Sequence, residues 1–293
     1  MTETVSIDPG SLDAIDVHVH IEVDAAGRRS LPEAYLQAAA AYFGAHPEAP
    51  TIDEIAEHYR AARMAAVVFT VDAEAFLGHP ALSNDEVAEG AGRHPDVLIP
   101  FAGIDPAKGE AGAAELERLI VGKGVRGLKL HPSLQDFDPT DRTAYPLLEV
   151  AQAHRVPVVF HTGQTGIGSG MPGGGGIRLR LSNPMLIDDV AVDFPGLTIV
   201  MAHPSVPWQD EAIAVATHKP NVHIDLSGWS PKYFPPQLVR AANTMLQDKV
   251  LFGSDHPLLS PERWMTAFDQ LEIKPEVRPK ILKDNAVRLL GLG

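Results

Sequence analysis

Short runs of β-branched and other apolar residues recur along the whole chain, most of them separated by stretches whose apolar positions fall at helical spacing. The pattern predicts eight strands, at 14–20, 65–72, 97–105, 125–131, 156–162, 197–203, 221–227 and 250–255. Between them, segments such as 109–121 place Ala113, Leu116 and Ile120 on one helical face, with Glu and Arg on the other. Strands alternating with helices imply a parallel α/β sheet with right-handed crossovers. Eight units within one domain's length fit a closed (β/α)8 barrel of the TIM type better than an open doubly wound sheet. No composition shift marks a boundary, so residues 1–293 are expected to form one domain.

Two connections are too long to be simple loops. Residues 21–64, after the first strand, contain a polar turn and two helix-like stretches, 31–43 and 52–63. Residues 163–183 follow the fifth strand. In a barrel both emerge at the C-terminal face, where active sites lie, and both are expected to contribute a substrate lid.

Composition narrows the function. The chain carries 24 Lys plus Arg against 38 Asp plus Glu, a formal net charge of −14. That balance argues against nonspecific nucleic-acid binding or a polybasic membrane contact, while a locally basic pocket could still take an anionic small molecule. There is no cysteine, so any metal must be held by His and carboxylate. No secretory leader is visible in MTETVSIDPGSLDAID, and no apolar run approaches the roughly 18 residues of a membrane span. A cytoplasmic, homo-oligomeric enzyme acting on a small molecule is the expectation.

The chemistry sits where strands end. The first closes on Asp16-Val17-His18-Val19-His20, the fourth on Gly127-Leu128-Lys129-Leu130-His131 and the fifth on Phe160-His161-Thr162. The sixth closes on Ala202-His203-Pro204 and the eighth on Gly253-Ser254-Asp255-His256. Residues two apart on a strand share a face, so His18 projects with His20 and Lys129 with His131. His18, His20, His161 and Asp255 at one rim make three imidazoles and a carboxylate, a set suited to zinc, or else manganese or iron. A metal there lowers the pKa of a bound water to about 7. His203 is left at the same rim as the general base or acid.

These motifs, in this order along almost the whole chain, resemble the amidohydrolase superfamily, in its branch of metal-dependent hydrolases and nonoxidative decarboxylases. The resemblance implies a TIM-type barrel with His18, His20, His161 and Asp255 as metal ligands and His203 as a catalytic residue. Asp255 would also orient or deprotonate the metal-bound water. Binuclear members carry a carbamylated Lys on the fourth strand, where Lys129 stands. The branch is usually mononuclear, which favours one divalent ion, zinc first. Lys129 and His131 are then candidate substrate contacts. His256 replaces the aromatic residue common after that Asp and is a further candidate.

Eight of the fourteen residues 163–176 are glycine, followed by Arg178 and Arg180. Such a loop can bring backbone amides and guanidinium groups to phosphate or carboxylate, or can serve simply as a mobile lid. Asp225, Ser227 and Trp229 end the seventh strand, where pocket lining and packing are equally consistent. Asp72 and Asp105 are expected to cap helices, and His46, His58, His79, His94, His154 and His218 to lie at the surface.

The expected reaction is hydrolysis of a carbonyl substrate by metal-activated water. The stretches 160–184 and 223–232 are similar to a subgroup that hydrolyses aryl β-ketoacyl-CoA thioesters by retro-Claisen cleavage, which implies a CoA thioester substrate. The alternative is metal-dependent nonoxidative decarboxylation of an aromatic or unsaturated carboxylic acid.

Overall fold

The computed structural model describes residues 5–43 and 49–292; His46 lies outside the described residues. The strands are β1 (Ala14–His20), β2 (Met64–Phe69), β3 (Leu98–Pro100), β4 (Ala102–Gly103), β5 (Leu128–Leu130), β6 (Val158–His161), β7 (Ile199–Ala202), β8 (Val222–Asp225) and β9 (Val250–Leu251). Their apolar runs are nearly continuous because both faces are buried, as in a parallel sheet covered by helices. All ladders are parallel, in the orders β1-β2-β3 and β4-β5-β6-β7-β8-β9.

Backbone hydrogen bonds bridge both junctions between these ladders. Only Phe101 separates β3 from β4, and its N–H donates to the Val68 carbonyl at 2.9 Å, so the two segments serve one strand position. At the other junction Val17 N–H donates to Phe252 (3.0 Å), Asp255 N–H to His18 (3.0 Å) and His20 N–H to His256 (2.8 Å). Residues 252–256 therefore continue β9 alongside β1. Eight strand positions follow one another around a ring, as the sequence pattern predicts.

Helices fill the crossovers. The insertion after β1 holds α1 (Glu33–Phe43) and α2 (Ile52–Ala61), the latter opened by a Thr51–Glu54 capping box. The predicted 109–121 helix runs over Gly109–Lys123 and stops at Gly124, whose left-handed conformation ends it. Asp105 caps the turn before it, accepting from Ala107 N–H at 2.9 Å. Between strands and helices lies one apolar layer that includes Val19, Val68, Leu128, Phe160, Met201 and Phe252. A second apolar layer fills the barrel interior with Ile15, Val17, Val67, Phe101, Val159 and Leu251. The C-terminal helix (Asn285–Leu290) and Leu12 pack against this interior layer, closing the end where β1 begins.

The two long connections meet at the opposite end: the Tyr35 hydroxyl donates to the Gly175 carbonyl at 2.8 Å. No helix among the described residues is long and apolar enough to cross a membrane.

Interior packing is close beside Phe101. A Cβ on Gly127 would lie 2.2–2.5 Å from its ring atoms. Gly127→Ala should therefore destabilise the protein by about 1–3 kcal/mol through overpacking, and Phe101→Leu in that background should recover part of the loss. Denaturant midpoints measure both; an Ala variant as stable as the parent would refute the contact.

Candidate metal centre

The first strand pairs with β2 in register through Asp16 and slips before Val19. Strict alternation would aim His18 away from the interior side occupied by Ile15 and Val17. The bulge turns it inward instead, and His20 follows two residues later. His18 lands edge-on to Phe69, ring centroids 5.0 Å apart, at the C-terminal mouth of the barrel.

The seam with residues 252–256 then brings in Asp255. His18 Nε2 lies 3.2 Å from His20 Nε2 and 3.3 Å from Asp255 Oδ1, and His20 Nε2 lies 3.1 Å from the same oxygen. The far nitrogens of both rings face carboxylates. His18 Nδ1 donates to Asp225 Oδ2 at 2.9 Å, and His20 Nδ1 faces Glu22 Oε1 at 3.4 Å. A carboxylate on Nδ1 holds the proton there and turns the Nε2 lone pair inward, the arrangement that orients a metal-binding imidazole. Burial, then the Lys129 ammonium, push His18 down to about 3, which keeps it neutral. Burial would raise Asp255, yet the His20 and His18 contacts hold it well below the usual carboxylate range. Two nitrogen lone pairs and an anionic oxygen within 4.8 Å of one another fit a divalent cation.

Of the four expected ligands, this triad gathers three. The fourth, His161, reaches the cluster through His203: His203 Nε2 and His161 Nδ1 lie 3.0 Å apart. His203 Nδ1 donates to the Ser227 carbonyl (3.1 Å) and meets Ser227 Oγ at 2.9 Å, so its Nε2 carries the lone pair. Burial lowers the His203 pKa against the opposing pull of Asp255 and Asp225. Asp255 and His203 both adopt positive φ, 72° and 73°, a conformation that costs L-residues of order 1–3 kcal/mol and tends to cluster at functional sites. Gly228 makes room for them, since a Cβ there would stand 2.7 Å from His203 Nδ1.

Asp225 is the residue that sequence reasoning left undecided. Fully buried, it accepts from His18 Nδ1, from His203 N–H (3.2 Å) and from Ser227 N–H (2.9 Å), and takes a short bond from Ser227 Oγ. Burial works against its ionisation, but His18, His203 and Ser227 hold it well below the ordinary range. With His18 and His203 it forms a second cluster of metal-capable atoms. The signal available was its position two residues after His223 on a strand end.

Lys129 is fully buried, with its ammonium 3.1 Å from His18 Nε2 and no carboxylate within 4 Å among the described residues. Burial lowers it to about 8, against Asp225 and Asp255. His131 stacks on His161, centroids 3.8 Å apart and 8° from parallel.

The remaining expected contacts lie farther out. The Arg178 guanidinium pairs with Asp136 at 2.7 Å, and Arg180 is exposed. Trp229 is half-buried against the layer outside the barrel. The His256 ring stacks on His58 of α2, which itself pairs with Glu262 at 2.8 Å.

The sequence matches the family described as Amidohydrolase over residues 15–292. No curated protein matches. An uncharacterised TIM-barrel protein from Bordetella bronchiseptica is 27% identical, with a TM-score of 0.76, over 95% of this chain and 98% of that one. The 2,6-dihydroxybenzoate decarboxylase from Rhizobium is 18% identical, with a TM-score of 0.69, over 96% of this chain and 99% of its own. The 5-carboxyvanillate decarboxylase from Novosphingobium aromaticivorans, solved with manganese and a nitrobenzoic acid, is 15% identical, with a TM-score of 0.66, over 99% of each chain.

If Asp225 orients His18 for a cation, Asp225→Asn should weaken metal binding roughly 10- to 100-fold while the fold persists. Metal analysis after dialysis against a graded chelator, alongside circular dichroism, checks this. Unchanged metal retention would remove Asp225 from the centre.

Proposed function

Because the chain belongs to the amidohydrolase family, we propose that this metal-dependent enzyme catalyses nonoxidative decarboxylation of an aromatic or unsaturated carboxylic acid. The observation that carries the proposal is a buried ammonium, Lys129, beside the His18–His20–Asp255 triad with no carboxylate of its own. A buried cation calls for an anionic partner, and a substrate carboxylate supplies one. That the two decarboxylases similar in fold act on hydroxylated benzoates lends support.

His18, His20 and Asp255 would hold one divalent ion, with His161 closing the set. A bound divalent ion supplies Lewis acidity toward the substrate's carboxylate or a neighbouring ring oxygen. Zinc and manganese both suit the donors, and the 5-carboxyvanillate decarboxylase structure contains manganese. Lys129 would bind and orient the carboxylate. As the carbon–carbon bond breaks, its electron pair stays on the substrate carbon, CO2 departs and a proton is added at that carbon. His203 would carry that proton, held in register by Ser227 and Asp225.

One observation favours a second reading, hydrolysis at a carbonyl carbon: the resting His203 carries its lone pair at Nε2, as a general base requires, and there it faces His161 Nδ1 at 3.0 Å. The finer version, retro-Claisen cleavage of an aryl β-ketoacyl-CoA, has less support. Arg178, one of two cations expected to meet CoA phosphates, is spent on Asp136.

Metal-loaded protein should release CO2 from hydroxylated benzoates and, in deuterated water, place deuterium at the vacated carbon. Formation of acetyl-CoA and an aryl carboxylic acid from an aryl β-ketoacyl-CoA, with 18O from water entering the aryl acid, would instead establish hydrolysis. Replacing His203 by Ala should leave metal content intact and lower kcat by roughly 100-fold or more. Asp255→Ala should lose metal, activity or both; a fully metallated, fully active variant would sink its assignment.

A further inference from the structure

Lys129 and His131 lie two residues apart at the end of β5, so they project to the same side. The ring of His131 is locked from several directions. It stacks on His161 at 3.8 Å and is nearly buried. The backbone N–H of His131 donates to Gln135 Oε1 at 2.7 Å, and the Gln135 amide in turn donates to the carbonyls of Asp72 (2.7 Å) and Ile104 (3.2 Å). The turn that follows supplies the detail that matters. Leu134 N–H donates to His131 Nδ1 at 3.3 Å, which makes Nδ1 the acceptor and leaves the ring proton on Nε2. Among the described residues, nothing accepts from that Nε2–H. A rigid donor without an acceptor, next to an ammonium without a carboxylate, is an incomplete anion site.

We propose that the Lys129 ammonium and the His131 Nε2–H form a paired donor site for a single carboxylate of the substrate, with His131 setting its orientation. Lys129 is a flexible point charge that cannot fix the plane of a carboxylate alone. The second donor, held by stacking and by the Leu134 amide, selects one rotation of the group. Specificity then follows: a ligand without the carboxylate leaves both donors unpaired, which is the strongest discrimination a polar site can exert. The proposal rests on the reading that this centre handles a carboxylate, and it does not require that the carboxylate be lost.

Binding to the metal-loaded protein tests it, with 2,6-dihydroxybenzoate against resorcinol and salicylate against phenol as probes, measured by calorimetry. Wild type should prefer each carboxylate over its carboxylate-free counterpart. His131→Phe keeps the stack and removes the donor; His131→Met removes the donor with a different shape, should Phe impair folding. Each should weaken carboxylate binding roughly tenfold to a hundredfold and change resorcinol or phenol binding by less than about threefold. His131→Gln, whose amide N–H can reach the same place, should restore most of the loss. Metal content should not change in any variant.

Three results would overturn the proposal: no carboxylate preference in wild type, retention of the preference in Phe and Met variants, or equal losses for both members of each pair. Carboxylate-selective binding that depends on His131 without any CO2 release would refute the decarboxylase reading and leave this one standing. CO2 release with the preference intact in the Phe variant would do the reverse.

Discussion

Three backbone hydrogen bonds between β1 and residues 252–256 decide whether this molecule has a centre at all, because they bring the two ends of the chain side by side. Asp16 reinforces the seam. Its carboxylate accepts the N–H groups of His18 and Ser254, 238 positions apart from Asp16 in the latter case, and the Tyr59 hydroxyl from α2 at 2.7 Å. Burial pushes Asp16 up to about 7, while those donors pull the other way. Closing so long a loop costs little more than closing one half its length, since the entropy grows only logarithmically. The cost falls on folding speed instead: the contacts that build the site join residues far apart in sequence and are rewarded late.

Once the seam is closed, the site's electrostatics follow from tautomers. Carboxylates behind His18 and His20 turn both Nε2 lone pairs toward Asp255, and Asp225 serves His18 while anchoring the backbone of His203. The cluster thus concentrates acceptors, and the nearest cation, Lys129, is drawn to within 3.1 Å of His18 Nε2. A divalent ion in that place would compete for the same lone pair and leave Lys129 to another anion. One carboxylate, Asp225, therefore couples the His18 ring to His203, and substitutions there are expected to be non-additive with either partner.

Much of this was legible in the sequence, for a definite reason. Strand periodicity is two, so His-x-His and Lys-x-His at strand ends announce shared faces, and eight apolar runs in one domain announce the ring. Other features lie beyond periodicity. Asp16, His18 and His20 look equivalent by parity, yet the bulge after Asp16 sends Asp16 outward to Tyr59 and the histidines inward. Asp225 read no differently from a packing residue, because its importance comes from three partners on other strands and on its own turn. Loop residues were harder still. His256 follows a ligand-type Asp by one residue and so faces α2, and the Arg178 partner, Asp136, belongs to a distant loop. Parity along a strand survives folding where no bulge interrupts it; destination across a loop does not.

The proton inventory explains why one set of residues can serve two reactions. His203 rests with a proton on Nδ1, fixed by a carbonyl that can only accept, and a lone pair on Nε2. In hydrolysis that lone pair takes a proton from water first. In decarboxylation the ring must already hold a second proton to deliver at carbon, and burial opposes the charged form while Asp255 and Asp225 favour it. An anionic substrate shifts this balance toward the imidazolium, because a carboxylate brought against Lys129 adds negative charge to the same enclosed space. A neutral carbonyl substrate adds none. On the proposed function, the charge of the substrate, rather than any difference in the residues, would select whether His203 begins the cycle as an acid or as a base.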